Sequence, residues 1–503
     1  MKTISVACKT VLLAMVAGSA AAASGTGAAA TGLEQTVFSA VKDKLSGLFW
    51  RVGQQPLEEE VEEEVKEKEG YVPDWSQYED ETVLRFNWTT ARERKAFVDA
   101  TKTLVLDVWR VGKHSGDVRL HQARVPNLLR LLPKSLRRAE SRRVMIADLE
   151  HAVHSTQPES REVVDFSTKS SMDIQTVSEL FFSDFRSLES IYQWLDILEE
   201  TFPEQVRTEV IGKTHEGRDI RVYHLYSSQR NVSGKKKTIV ITGGTHAREW
   251  VSVSTVLYSL YTLLVHHGSR GNGAGGEDNI LDKLDFLIVP VLNPDGYVYT
   301  WEHDRLWRKN RQDTGVPLCR GIDIDSSFPY HWKPSMGTPC SEGYAGQAAL
   351  EAEEARAFTK YINATSERHQ YFGYLDWHSY SQTILHPYGY SCKETPRDAE
   401  NLLELAYGMA RAIRWSSGKM YSVLPSCEDR EYDPDDSEGG CALDYMYKMH
   451  AIWALQIKLR DTGNHGFLLP KKFIVPVGEE IFSALRYFCD FILNPEDESY
   501  GSN

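Results

Sequence analysis

The chain has 503 residues, of which 41% are hydrophobic and 25% are charged, and its mean hydropathy is −0.41. This composition excludes a wholly disordered chain, a collagen-like fibre and a polytopic membrane protein, and the length allows about three domains. The formal net charge of −14 argues against nucleic-acid binding. We therefore expect no nucleic-acid partner.

The first 23 residues have the features of a secretory signal peptide. Lys2 supplies a positive charge, and residues 11–23 form an apolar run that ends in small residues. The run is shorter than the roughly 20 residues of a membrane span, and no second long apolar run follows. We therefore expect a secreted chain without a membrane anchor, destined for the outside of the cell or for a vacuole.

A polar segment separates this N-terminus from the first compact unit. Residues 24–81 have little apolar periodicity, and eight of residues 58–69 are Glu, so we interpret this segment as a disordered acidic linker. Residues 82–150 then alternate strand and helix patterns, which favours a small α+β domain. The predicted strands are 82–88, 105–111 and 117–125, and the predicted helices are 89–104 and 125–136. Residues 151–175 are polar again and are predicted to be a connector.

Residues 176–503 show the pattern of an α/β domain. Four apolar strand candidates alternate with amphipathic helical segments, which predicts a mixed, largely parallel twisted sheet with helices on both faces. The strand candidates are residues 238–244, 286–293, 372–378 and 451–459. The clearest helical segments are residues 187–202, 253–267 and 350–363.

Ligands of such sheets bind beyond the carboxyl ends of the strands, and two of the predicted strands are followed by metal-ligand residues. His246 and Glu249 follow the first strand three residues apart, and His378 ends the third strand. Two His and one Glu with an open fourth position are typical of catalytic zinc. Taken singly, the first pair is also consistent with a salt bridge or helix cap, and His378 with a hydrogen-bonded core histidine.

A basic run lies between these strands and contains Arg305, Arg308, Lys309 and Arg311. One arginine aimed at the metal would stabilise a developing oxyanion. For most of these side chains, a solvated basic surface is the simpler interpretation.

Cysteines and glycosylation triplets agree with an extracellular protein. Cys8 belongs to the signal peptide, and the six remaining cysteines allow 15 disulfide pairings, with a buried free thiol as the alternative for Cys489. Three Asn-X-Ser/Thr triplets, at Asn87, Asn231 and Asn363, are candidate glycosylation sites.

Four blocks in this order resemble the carboxypeptidase A/B-like zinc carboxypeptidases, the funnelins: GGTHAREW, NPDGYVYTW with RLWRK, WHSYSQTILHPYGY, and LRDTGNHGFLLP. The likeness covers residues 176–495, and residues 82–150 more loosely resemble the pro-segment of these zymogens. The resemblance implies the metallocarboxypeptidase fold and one zinc ion bound by His246, Glu249 and His378. It implies that Asp323 orients the first zinc histidine.

The resemblance also assigns the residues around the predicted zinc. It implies that Arg308 lies near the scissile carbonyl oxygen, and that Arg248, Ser379 and Tyr380 line the substrate groove. It pairs Cys319 with Cys340 and places one half of a second disulfide at Cys392, for which we expect Cys427 as the partner.

Four positions, in three places, depart from the family pattern. The family's general base is a Glu on the last strand, where this chain has Lys458, and a protonated lysine cannot accept a proton. The Asn-Arg pair that clamps the substrate's terminal carboxylate is replaced by Asp325-Ser326, which removes a cation. An ungapped alignment puts Asp436 where the family has a mobile Tyr.

These departures favour a zinc-binding pseudo-carboxypeptidase, similar to the fungal extracellular-mutant-type inactive branch of the family that is linked to cell-wall organisation. One alternative is an active peptidase with an altered base and altered C-terminal specificity, in which a neutral Lys458 or a nearby Asp accepts the proton. A metal-free scaffold is a further alternative. The expected partners are the C-terminal segment of a peptide or protein and the chain's own pro-segment, lying over the groove.

Overall fold

The computed structural model describes residues 73–158, 173–227, 235–268, 280–334, 338–429 and 439–493. The predicted signal peptide, most of the predicted acidic linker, Asn231 and Asp436 lie outside the described residues. No helix within these ranges has both the length and the apolar character needed to cross a bilayer.

Residues 73–158, here called the small unit, contain a four-stranded antiparallel sheet in the order β2-β3-β1-β4. A capping box between Thr90 and Glu93 begins the first helix, and Phe86, Trp88 and Phe97 pack in the core between sheet and helices. The elements are β1 Glu81–Asn87, α1 Ala91–Thr103, β2 Asp107–Val111, β3 Ser115–His121, α2 Val125–Leu131, α3 Lys134–Arg137, β4 Arg142–Ile146 and α4 Leu149–His154.

Two elements of the small unit differ from the sequence prediction. Strand β4 was not predicted, because it is an arginine-rich edge strand whose side chains are mostly exposed or half-buried, so it lacks an apolar alternation. The predicted helix 125–136 is two short helices, separated where Pro133 follows Leu132 in an extended conformation.

Residues 173–493, here called the large domain, contain an eight-stranded sheet in the order β11-β10-β12-β9-β7-β8-β6-β5. The four central strands, β12, β9, β7 and β8, are parallel and correspond to the four predicted strands. The strands are β5 Val206–Lys213, β6 Asp219–Leu225, β7 Lys236–Thr242, β8 Asp285–Val289, β9 His369–His378, β10 Thr383–His386, β11 Ser422–Pro425 and β12 Trp453–Lys458.

The mixed α/β class predicted from the sequence is confirmed, since antiparallel pairings flank the parallel centre. Four outer strands were not predicted: β5 and β6 at one side and β10 and β11 at the other. β10 and β11 have four residues each, too few for a period-2 pattern, and β5 is mainly half-buried or exposed.

Helices cover both faces of this sheet. Gly373 and Tyr374 are neighbours on β9 and therefore point to opposite faces. A Cβ on Gly373 would lie 2.7 Å from Phe488 of α13, whereas the Tyr374 ring lies 6.5 Å from that of Phe358 on α10. The helices are α5 Ile174–Phe181, α6 Leu188–Thr201, α7 Trp250–Gly268, α8 Ile280–Lys283, α9 Pro294–Glu302, α10 Glu353–Thr365, α11 Ala399–Ser417, α12 Ala442–Met449 and α13 Ile474–Ile492.

The structure contains the two disulfides that the resemblance suggested. Cys319 is bonded to Cys340, and Cys392 is bonded to Cys427. Cys489 is a buried free thiol on α13. Asn87 and Asn363 have exposed side chains, and their glycosylation stays a prediction.

Candidate metal centre

Three ligand side chains converge at the carboxyl ends of the central strands. His246 and Glu249 lie in the turn between β7 and α7, and His378 is the last residue of β9. His246 Nδ1 lies 2.9 Å from Glu249 Oε1, and His378 Nδ1 lies 3.1 Å from both His246 Nδ1 and Glu249 Oε2. All three residues are at least 95% buried. The structure therefore brings together the three predicted ligands.

A carboxylate fixes the orientation of each of the two histidines. His246 Nε2 lies 3.1 Å from Asp323 Oδ1, and His378 Nε2 lies 2.9 Å from Asp376 Oδ2. Asp323 was predicted, whereas Asp376 was missed because it reads as one residue of a buried strand. A ring nitrogen that donates to a carboxylate leaves the other nitrogen as a lone-pair donor to metal.

This donor set fits a zinc ion. Two imidazole nitrogens that both carry lone pairs repel each other at 3.1 Å, and a shared cation removes the repulsion. Two imidazoles and one carboxylate are also ligands that zinc prefers. Burial favours the neutral acid of Glu249, but the electrostatic attraction of the two histidines lowers its pKa below the usual value. Glu249 is therefore an ionised ligand.

The turn that carries His246 and Glu249 is closely packed. Gly244 has a φ of +61°, and a Cβ there would lie 3.1 Å from both Pro290 O and Val291 Cα. Glycine is needed at such a position because a side chain would meet backbone. The backbone N–H of Ser379 donates to Glu249 Oε2 at 2.9 Å and so holds this ligand from the other side.

Of the predicted basic run, Arg308 is the member that lines the metal-site pocket. Arg308 Nη2 donates to Asp323 Oδ2 at 3.2 Å. The expected solvated surface is wrong for Arg305 and Lys309, which are 0% and 3% exposed. Arg305 stacks on Trp250 at 3.6 Å and donates to backbone carbonyls, and burial lowers its pKa to about 9.

Lys458, which the family resemblance places at the general-base position, lines the metal-site pocket. It is the last residue of β12 and is in register with His378 of β9. Its ammonium nitrogen lies 2.8 Å from Asp429 Oδ2, and Asp429 is buried. Asp429 was missed because no motif marks the short 3-10 turn in which it lies.

Asp325 and Ser326, the predicted clamp positions, are engaged within the protein. Ser326 Oγ donates to Asp323 Oδ2 at 2.8 Å. Asp325 Oδ1 accepts from the N–H of Ala442, the first residue of α12, at 3.0 Å. Burial and the nearby carboxylate of Asp376 raise the pKa of Asp325. Neither side chain offers a cation to a substrate carboxylate.

Two predicted groove residues contact the small unit. Arg248 Nη1 donates to both carboxylate oxygens of Asp107, at 3.0 and 3.2 Å, and Arg248 is fully buried. The hydroxyl of Tyr380 donates to Asp117 Oδ2 at 2.6 Å. The indole of Trp109, on β2, packs against Tyr380 and Phe467. None of these small-unit residues was predicted to contact the groove.

Comparison with known proteins agrees with this geometry. A sequence model described as zinc carboxypeptidase matches residues 191–484. The "Inactive metallocarboxypeptidase ECM14" of Saccharomyces cerevisiae is 46% identical over 430 residues, covering 85% of this chain and 95% of the relative. The protein of the same name from Sclerotinia sclerotiorum is 41% identical, covering 83% of this chain and 74% of that one.

Solved structures give the same result for the fold. The carboxypeptidase A of Helicoverpa armigera matches with a TM-score of 0.70 and 25% identity, over 82% of this chain and 98% of that one. Thrombin activatable fibrinolysis inhibitor matches with a TM-score of 0.66 and 25% identity, over 82% and 99%. The protein described here belongs to the zinc carboxypeptidase family.

Proposed function

We propose that this protein is a zinc-binding pseudo-carboxypeptidase whose groove serves in binding rather than in peptide hydrolysis. The observation that carries the proposal is the ion pair between Lys458 and Asp429 at the end of β12, where a family enzyme needs a carboxylate base. The names of the similar fungal proteins, inactive metallocarboxypeptidases, support it.

The metal cage itself is suited to one zinc ion at His246, Glu249 and His378. When bound, zinc supplies Lewis acidity to a ligand in the groove. The chain's own residues then orient that ligand but do not move its proton. The ammonium of Lys458 has no free lone pair, and general acid–base catalysis is worth about 10²–10⁴-fold in rate.

The competing hypothesis is an active carboxypeptidase whose base is a neutral Lys458, Asp325 or Asp436, and the structure bears on Asp325. Both Asp325 oxygens already accept hydrogen bonds, one from Ala442 at 3.0 Å and one from Gln456 at 3.4 Å. A proton acceptor must reach the reacting group, so these contacts disfavour Asp325 in that role.

The small unit is proposed to act as a pro-segment that lies over the groove. Supporting contacts are the pair of Asp107 with Arg248 and the indole of Trp109, which lines the metal-site pocket. The ligand is proposed to be the C-terminal segment of a peptide or protein. The signal-like N-terminus supports secretion to the extracellular space or cell wall, with the vacuole as the alternative, and a role in cell-wall organisation is proposed from the family resemblance.

Peptide hydrolysis tests the proposal. The contact between Lys458 and Asp429 decides which variant can restore a carboxylate base. Lys458→Glu alone would place a second carboxylate beside Asp429, and two close carboxylates disfavour ionisation. The informative variant is therefore Lys458→Glu with Asp429→Asn. Its matched control is Lys458→Gln with Asp429→Asn, which has the same neutral neighbour but no base.

All proteins are loaded with zinc, cut in the predicted connector 151–175 and assayed with a panel of peptides that have free C-termini. A family enzyme serves as the positive control. We expect no turnover from the unmutated protein or from the Lys458→Gln control. Turnover by the unmutated protein would refute the pseudoenzyme proposal. Activity only in the variant with Lys458→Glu would show that Lys458 alone accounts for the loss of hydrolysis. Absence of turnover in both variants would indicate that Asp325-Ser326 also prevents hydrolysis.

A further inference from the structure

A second cluster of metal-ligand side chains lies at the other end of the large sheet. Asp285 and His369 are the first residues of β8 and β9, whereas His378 is the last residue of β9. The ten residues of β9 span about 30 Å at 3.3 Å per residue, so this cluster is remote from the candidate metal centre. His224, on the neighbouring strand β6, completes the cluster.

The three side chains are close and buried. One ligand atom from each lies within 4.8 Å of the others, and His224 Nε2 lies 3.2 Å from Asp285 Oδ2. The residues His224, Asp285 and His369 are 8%, 0% and 6% exposed. Two imidazoles and a carboxylate are the same ligand types as at the candidate metal centre.

The hydrogen bonds around His369 leave one ring nitrogen available. The hydroxyl of Thr238 donates to the carbonyl of Lys236 at 3.0 Å and lies 2.9 Å from His369 Nδ1. Because the single hydroxyl proton goes to the carbonyl, Nδ1 is the donor in the second contact. His369 Nε2 then carries the lone pair, as in metal sites where the other nitrogen is held by a protein oxygen.

Lys236 is a group that a metal ion would have to displace from Asp285. Its ammonium nitrogen lies 3.5 Å from Asp285 Oδ2, and its side chain is 32% exposed. A flexible lysine at the surface can turn into water when a divalent cation arrives. Since that exchange costs the lysine–carboxylate attraction, the affinity of the cluster should be lower than it would be without Lys236.

We propose that His224, Asp285 and His369 form a second divalent-cation site, of a chemistry that suits Zn²⁺, independent of the site at His246, Glu249 and His378. The ion ties β6, β8 and β9 together at this edge of the sheet. The chain then binds two zinc ions rather than the single ion expected from the family resemblance.

Zinc stoichiometry tests the site in the full-length protein. Metal is removed with a chelator, zinc is returned by equilibrium dialysis, and bound zinc is measured by elemental analysis. We expect two equivalents for the unmutated chain and one for a His246→Ala/His378→Ala variant. Adding His369→Ala to that variant should abolish the remaining equivalent, whereas adding His303→Ala, at an exposed histidine, should not.

Lys236→Met supplies a test that does not disturb a ligand. In the His246→Ala/His378→Ala background, it should tighten zinc binding at least tenfold in a calorimetric titration, and Co²⁺ should give the absorption bands of a His-containing site. No bound zinc in the His246→Ala/His378→Ala variant, or an equivalent in that variant that survives His369→Ala, would overturn the proposal. If circular dichroism shows that the His369→Ala variant does not fold, the Lys236→Met titration decides. An unchanged zinc affinity in Lys236→Met then overturns the proposal.

Discussion

Asp107 of the small unit accepts two hydrogen bonds from Nη1 of Arg248, a residue that stands between two of the predicted metal ligands in the sequence. Arg248 is fully buried, and its guanidinium also lies 4.3 Å from the centre of the Phe467 ring. The small unit and the metal-site turn therefore share an ion pair whose arginine side chain is fully buried and whose Asp107 side chain is 17% exposed. An unpaired buried charge is costly, so this contact couples the folding of the two parts.

Removing the carboxylate from this pair should destabilise the protein. Asp107→Ala leaves the buried Arg248 with Glu342, at 4.0 Å, as its remaining carboxylate, and breaking a buried ion pair costs about 3–5 kcal/mol. Phe467 and the carbonyl of Leu306 keep contact with the guanidinium, so we expect the lower end of that range. Urea unfolding with the disulfides intact measures the loss.

Asp99→Ala is the matched control on the same unit. Asp99 pairs with Lys95 at 3.9 Å on the surface of α1, and both side chains are at least 60% exposed. Exposed pairs are worth less than about 1 kcal/mol, so the unfolding midpoint should hardly move. Equal losses in Asp107→Ala and Asp99→Ala would contradict the structural importance of the Arg248 contact.

A double-mutant cycle should detect the pair of Lys458 and Asp429. Lys458→Met leaves a buried carboxylate with Arg110 as its remaining cation, at 3.9 Å, and should lower the free energy of unfolding by about 1–3 kcal/mol. Adding Asp429→Asn removes the stranded charge and should recover most of that loss. A double variant less stable than Lys458→Met would show that the two residues are not paired in solution.

The sequence predicts the centre of the fold better than its edges. The strands β7, β8, β9 and β12 are buried on both faces, so they read as continuous apolar runs and were found. Strand β4 and the four-residue strands β10 and β11 gain their pairing from neighbours rather than from their own pattern. These strands form because neighbouring strands supply their hydrogen-bonding partners, and the sequence of a strand alone does not reveal those partners.

At the candidate metal centre, the sequence likewise predicts the ligands better than the residues that contact them. His246, Glu249 and His378 were identified because they follow apolar strands and fall in recognisable blocks. Asp376 and Asp429 were not identified, although their carboxylates contact His378 and Lys458. Neither residue belongs to a sequence motif that would mark it. Their roles follow only from distances between residues that are far apart in the chain.

The carboxylate behind His378 should control zinc affinity. Asp376→Asn keeps the shape of the side chain but removes the charge that orients and polarises the imidazole, and such changes typically cost about 10–100-fold in metal affinity. Competition with a chromogenic chelator measures the dissociation constant. Glu400→Gln, at an exposed position on α11, removes the same charge elsewhere and should leave the affinity unchanged. Similar affinities in the two variants would argue against Asp376 as the residue that supports His378.

Glu354 should make the stability of the large domain depend on pH. It is fully buried on α10, where Asn310 donates to its Oε2 at 2.7 Å, and burial raises its pKa to about 7 despite that hydrogen bond. The folded state therefore keeps a proton that the unfolded state loses near pH 4.5. Stability should fall as pH rises from about 4.5 to about 7 and show no further loss from this group above that.

Glu354→Gln should remove this dependence, since the amide oxygen still accepts from Asn310 and the group does not ionise. The variant should match the unmutated protein near pH 4.5 and be more stable at pH 8, by an amount on the order of 3 kcal/mol. Thermal unfolding across this pH range measures the difference. Glu353→Gln, at the half-exposed neighbouring position, should leave the slope unchanged. If Glu354→Gln instead lowered the unfolding temperature equally at both pH values, the carboxyl would be ionised and stabilising in the folded protein, against the burial that surrounds it.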